Sequence, residues 1–220
     1  MIELATLFLG SQPKTDDRSY EDIFVDRYLA FNEGTEPHDS LEDDTVTGAY
    51  GIKFPNPKYK EFGARKQAML MARDDVDLIK KQIGEKNWEA LPKEVKLGAS
   101  DMFWNSRSLF KNFKSKLIQG DAQGALYETL DVITGESKKT KGKVVYPGHA
   151  TRRARNHNEW AKRNNKPLFE TVVFKKTEDG GTKAIYNFDD GSKPVIKKSK
   201  KPLHPDSKYD IEYPVRKYDN

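Results

Sequence analysis

Glu33 is the residue of this chain best placed to do chemistry. It ends an amphipathic stretch in which Tyr20, Ile23, Phe24, Tyr28 and Phe31 recur at helical spacing behind Ser19, a fitting N-cap. Gly34 stops that helix, which leaves the carboxyl in the last turn, free to turn from the core and face a cleft. An acidic loop comes next with Asp39, Glu42, Asp43 and Asp44, and after it Thr47-Gly48-Ala49-Tyr50-Gly51-Ile52. A proton donor, a second carboxylate and a hydroxyl that positions water are the parts that glycosidic cleavage uses on the two faces of a sugar ring. Such a donor must hold its proton, which calls for partial burial against apolar groups. Phe31, Tyr28 and Tyr50 are the neighbours in sequence that can provide that surrounding. Glu33 is therefore the candidate acid, Asp44 or Asp43 the candidate second carboxylate, and Thr47 the candidate holder of the attacking water.

About a hundred residues later, Tyr146-Pro147-Gly148-His149-Ala150-Thr151-Arg152-Arg153-Ala154-Arg155 opens a basic helix. Tyr50, Asn105 and Arg152 are candidates for touching substrate. For Asn105 a buried, hydrogen-bonded amide is an equal reading, and for Arg152 and Arg153 a supporting role outweighs direct contact. Trp104 and Trp160 can stack on sugar rings, but core packing is the stronger expectation for both. The four histidines, at 38, 149, 157 and 204, lack metal-ligand spacing, so no metal is expected. With no phosphate loop, dinucleotide fingerprint or nucleophile elbow, no cofactor is expected.

The order of these segments resembles phage-type lysozymes of the lysozyme-like superfamily. That family carries Glu-Gly at the end of its first helix, then an Asp, then Thr-x-Gly-x-Gly-His in a small β-lobe. It continues with a core helix containing Asn, a Gly-Asp cap, and Pro-Gly-x-x-x-Arg-Arg before its last helix. The matching residues here are Glu33-Gly34, the acidic loop, Thr47 to Ile52, Phe103-Trp104-Asn105, Gly120-Asp121, and Pro147-Gly148 with Arg152-Arg153, spanning residues 19–164. Two features depart from it: Gly48 directly follows Thr47, and no His follows Gly51. Gly48-Ala49-Tyr50-Gly51 is also similar to the turn of goose-type lysozymes and lytic transglycosylases, which use one Glu. The resemblance implies a muramidase acting on bacterial peptidoglycan, as a phage endolysin or a virion-associated lysozyme. It would be made in the host cytoplasm and act in the periplasm or cell wall, or be carried in the virion. Hydrolysis and transglycosylation both remain open. So does a catalytically inactive component of a phage tail or baseplate.

The rest of the chain must position these groups. The fold class expected is α+β, mainly α: an N-terminal arm over 1–17, a two-lobed lysozyme-like helical domain over 18–165, and a β-ribbon with an extended basic tail over 166–220. Helices are expected at about 59–83, 92–105, 109–119, 121–134 and 148–164, with Asp121 as a cap and polar joints such as 135–142. Residues 168–174 and 183–188 read as a hairpin, and Pro194-Val195-Ile196 as a third strand. Charge is uneven. Residues 135–220 hold 21 Lys/Arg against 11 Asp/Glu, and residues 1–134 hold 18 against 23, so only the second half is strongly basic. That favours a polyanionic partner such as an acidic wall polymer. The ribbon could also dock onto tail or baseplate proteins. The run Lys197–Lys201 lacks interleaved aromatics, which argues against specific nucleic-acid recognition. No apolar run reaches the roughly 18 residues of a membrane span, the first ten residues are a poor signal peptide, and cysteine is absent.

Overall fold

The computed structural model describes residues 18–35, 38–39, 46–47, 49–52, 57–137 and 139–218. The expected arm 1–17 and the carboxylates of Glu42, Asp43 and Asp44 lie outside them. The protein is α+β with helix predominating. Among the described residues no helix is long and apolar enough to cross a membrane.

The first helical stretch is α1 (Tyr20–Ile23), a π-helical run (Phe24–Leu29) and α2 (Ala30–Glu33). Ser19 caps it by accepting from the Asp22 N–H at 3.1 Å. In the middle the Ala30 N–H reaches back five residues to Val25 O. This widened turn lets five residues, Ile23, Phe24, Val25, Tyr28 and Leu29, all be buried. Such insertions concentrate at functional sites. An inserted residue rotates the next helical turn and its side chains, and the next turn in this chain is α2, which carries Glu33.

The body consists of α3 (Ala64–Ile83), α4 (Glu85–Ala90), α5 (Lys93–Ser106), α6 (Lys111–Ile118), α7 (Ala122–Thr129) and α8 (Pro147–Arg163). The expected long helix starts later than its apolar pattern indicates. Tyr59 lies instead in a 3-10 turn, Pro57–Tyr59, buried with its hydroxyl donating to Asp74, and Gly63 precedes α3. α4 falls in a gap of the sequence reading, after Gly84 at φ 89°. Asp121 caps α7 as expected, accepting from the Gly124 N–H at 2.8 Å.

The joint read as polar loop is instead a hairpin, β3 (Thr134–Ser137) with β4 (Gly142–Val145), which buries Val144 and Val145. β1 (His38–Asp39) and β2 (Val46–Thr47) form a second short ladder. After α8 come β5 (Phe169–Lys176), β6 (Thr182–Phe188), β7 (Val195–Ser199) and β8 (Glu212–Pro214), antiparallel in the order β7-β6-β5-β8. Alternation buries Thr182, Ala184 and Tyr186 on β6, and Val172 and Phe174 on β5. A bulge between Phe169 and Thr171 turns Phe169 inward as well.

The C-terminal segment is not wholly the extended basic tail expected. Lys197 and Lys198 lie within β7, β8 adds a fourth strand, and Leu203 and Tyr218 are buried. The sheet has no core of its own. Its buried face shares one cluster with Leu130, Ile133, Val145, Ala150 and Ala154 of the helical body.

Candidate active site

α8 is rich in arginine, yet Arg152, Arg153 and Arg155 are all buried. Burial of guanidinium groups is costly unless carboxylates and further hydrogen bonds meet them. Asp101, on α5 and fully buried, meets two of them. Its Oδ1 accepts from Arg152 Nε at 2.8 Å and from Arg152 Nη2 at 2.5 Å, while Oδ2 accepts from Arg153 Nη1 at 2.6 Å and Asn156 Nδ2 at 2.8 Å. Burial alone would raise the Asp101 pKa, but Arg152 and Arg153 more than offset it, and the group is held below the ordinary carboxylate range.

Arg152 also serves the candidate acid. Its remaining amino group, Nη1, donates to Glu33 Oε1. One guanidinium thus bridges a buried carboxylate and a partly exposed one, the Glu33 side chain being 20% exposed. The expectation of an apolar surrounding for Glu33 is corrected at this point: the described partner of the carboxyl is a cation. Tyr28 and Phe31 turn to Tyr218, with ring centroids 4.2 and 5.3 Å away. An arginine only donates, so the Glu33 oxygen it meets must accept. His149 lies in the same region. Burial, then Arg153 and Arg152, push its imidazole down to about 4, so it is neutral at neutral pH.

The Gly-rich turn returns to the end of α2. The Tyr50 N–H donates to Gly34 O at 2.8 Å, and Tyr50 itself takes φ 59°. Gly34 at φ 78° ends the helix in a conformation that other residues adopt only under strain. Tyr50 is half-buried, packed against the cluster around the first helix. Thr47 pairs through its backbone with His38, and Asp39 with Val46; their side chains, like Asp44 altogether, lie outside the described residues. Glu33, Tyr50 and Arg152 are therefore brought to one region. Asn105 is exposed on α5, and its Nδ2 donates to Asp101 O in the preceding turn. Arg152, read as a substrate contact, is 8% exposed and gives its donors to Asp101 and Glu33, so its place is behind the acid. Trp104 sits edge-on to Phe24 and Trp160 joins the helical core, both as packing residues. Among the described residues no three His, Cys, Asp or Glu side chains are grouped to hold a metal.

Sequence reasoning missed Asp101, Asn156 and Tyr218. The signal for Asp101 is an acid inside the apolar run Leu97 to Trp104, where only a buried counter-charge justifies it. Tyr218 offered none, since its partners are made by a tail that returns across the body. Beside the acid, Phe31 and Asn32 help line a pocket of about 280 Å³, below the roughly 300–1,000 Å³ of small-molecule sites. It suits a single small group.

Compared with known protein families, characterised proteins and solved structures, the chain matches none.

Proposed function

We propose that this chain is a glycoside hydrolase of the lysozyme-like class, cutting the glycan strand of bacterial peptidoglycan with Glu33 as general acid. Within that class it would be a phage endolysin or a virion-associated muramidase. Asp44 or Asp43 would be the second carboxylate and Thr47 would position water. What supports the reading is position: a carboxyl only 20% exposed at the end of a helix stopped by Gly34, with the Tyr50 turn folded against that end. Fixed orientation of a reacting group is a large part of catalytic power.

The test is zymography on purified peptidoglycan with wild type and Glu33→Gln, followed by mass spectrometry of the fragments. Clearing by wild type alone supports the assignment, and equal clearing by both removes Glu33 as the acid. Reducing ends indicate hydrolysis; anhydro ends indicate that the sugar's own hydroxyl attacks, as in a lytic transglycosylase. A second reading, a non-catalytic component of a phage tail or baseplate, is favoured by the ion pair that occupies Glu33 Oε1. No clearing by either protein would support it.

A further inference from the structure

The pocket beside the acid contains a cation that has no counter-charge among the described residues. Arg155 is 6% exposed. Its Nε donates to Arg216 O at 2.7 Å and its Nη1 to Asn32 Oδ1 at 2.7 Å, both neutral acceptors. Its plane lies over Phe31, 4.4 Å from the ring centroid. Arg152, Arg153 and Arg163 on the same helix each reach a carboxylate within 4 Å, but Arg155 reaches none among the described residues. It also faces the Tyr218 ring at 5.1 Å, and burial lowers its pKa from the ordinary arginine value.

The pocket itself is cationic. Arg155 and Arg216 line it with Phe31, Asn32, Gly148 and Thr151, and no acidic side chain faces it among the described residues. The Thr151 hydroxyl donates to Gly148 O, and a Cβ added at Gly148 would meet nothing within 4 Å, so there is open space over the first turn of α8. Pro214, at the end of β8, closes one side. A planar guanidinium with a second on the rim matches a carboxylate in shape and charge.

We propose that this pocket receives a carboxylate of the stem peptide carried by peptidoglycan's glycan strand. The identity of the ligand rests on the muramidase reading, whereas the anion site rests on the pocket. Asn32 directly precedes Glu33, and Thr151 directly precedes Arg152. A carboxylate seated here would register the strand against the acid and favour peptide-bearing sugars over bare glycan.

The experiment is calorimetric titration of the full chain with a muramyl tripeptide bearing free carboxylates, using N-acetylglucosamine and inorganic phosphate as comparison probes. The tripeptide is expected to bind and to lose about tenfold in affinity in Arg216→Ala, since a charge-assisted hydrogen bond is removed. Arg216→Lys should recover part of it. Any N-acetylglucosamine binding should be the same in Arg216→Ala and wild type. Arg155→Gln should weaken the tripeptide further, with a melting curve showing that it folds. Unchanged tripeptide affinity in Arg216→Ala and in folded Arg155→Gln overturns the proposal, as does tighter binding of phosphate than of the tripeptide. Repeating the titrations in Glu33→Gln separates the two readings. Arg216-dependent binding without lysis by wild type keeps the receptor and removes the acid. Glu33-dependent lysis with binding indifferent to Arg216 does the reverse.

Discussion

Tyr218 donates its hydroxyl to Asn156 Oδ1 at 2.5 Å, tying the C-terminal segment to the middle of α8. Asn156 in turn donates to Asp101, Asp101 accepts from Arg152, and Arg152 donates to Glu33. A residue at the far end of the described chain is thereby linked to the candidate acid through three side chains. The same ring packs on Tyr28 and Phe31, and its hydroxyl accepts from Asn32 Nδ2 at 3.2 Å. The tail is part of the site's frame.

Tyr218→Phe keeps the ring contacts and deletes only the hydroxyl. It should cost about 1–3 kcal/mol of stability, since the hydroxyl bonds both Asn156 and Asn32 and its loss leaves the buried Asn156 oxygen unpaired. Tyr218→Ala also removes the ring and should cost about 3–5 kcal/mol as an aromatic truncation in a packed cluster. Urea unfolding of the three proteins reads both. In the muramidase reading, lysis per folded molecule should also fall in Tyr218→Ala. Full specific activity in that variant would show that the tail does not support the acid.

Asp101→Asn leaves Arg152 and Arg153 buried with no carboxylate between them. The expected loss is about 3–5 kcal/mol, because removing one partner of a buried ion cluster strands the others. Glu33→Gln should cost well under half of that, since Glu33 is at the rim and Arg152 keeps Asp101. A thermal or urea comparison checks the order. Equal losses would mean that the rim pair, and not the buried one, anchors α8.

Arg152→Lys retains a charge but not the fork. A lysine ammonium is a point charge with no planar pair of donors, so it cannot bridge Asp101 and Glu33 as the guanidinium does. In the muramidase reading, with the proposed acid unfixed, lysis of purified peptidoglycan should drop by up to about a hundredfold, the scale set by misplacing a reacting group by an ångström. The kinetic form should be a fall in kcat with little change in KM. A rise in KM alone would return Arg152 to the role of substrate contact.

The parts of this fold legible in the sequence are those set by local signals. Ser19, Gly34 and Asp121 marked helix ends because capping is chemistry of a few adjacent residues. The pairing of β5 with β6 was legible as two β-prone runs joined by Glu178-Asp179-Gly180-Gly181. The hairpin β3–β4 was missed because its strands have four residues each and much Lys, Gly and Thr, and it is stabilised by burying Val144 and Val145. Glu33 and Arg152 could be named from the sequence, but not their contact, 119 positions apart. The apolar surrounding expected for the acid failed for a related reason: adjacency in sequence placed Tyr28 and Phe31 near Glu33, while the fold gave those rings to Tyr218.

Acid should act on this fold through two histidines, His157, which is buried, and His149, which is half-buried. His157 is 1% exposed, and among the described residues neither ring nitrogen makes a hydrogen bond of good geometry, with Asn158 the one polar side chain that acts on it. It lies among Tyr127, Trp160 and Phe169, and burial pushes its pKa down to about 4. In the unfolded chain an imidazole takes its proton near pH 6.5, so between about pH 6.5 and 4 the unfolded state binds more protons and stability falls as pH falls. From pH 8 to pH 5 this one residue should cost about 2 kcal/mol. His149, held down to about 4 as well, acts in the same direction. Asp75 and Glu159 oppose them: burial raises Asp75 to about 6 despite Arg107 and also raises Glu159, so each contributes stability as pH falls toward its folded value. His157→Phe should therefore unfold in urea with a midpoint that drops less between pH 8 and pH 5 than that of wild type. If both proteins lose stability in parallel, His157 is already protonated in the folded state, and the dry aromatic setting described for it is wrong.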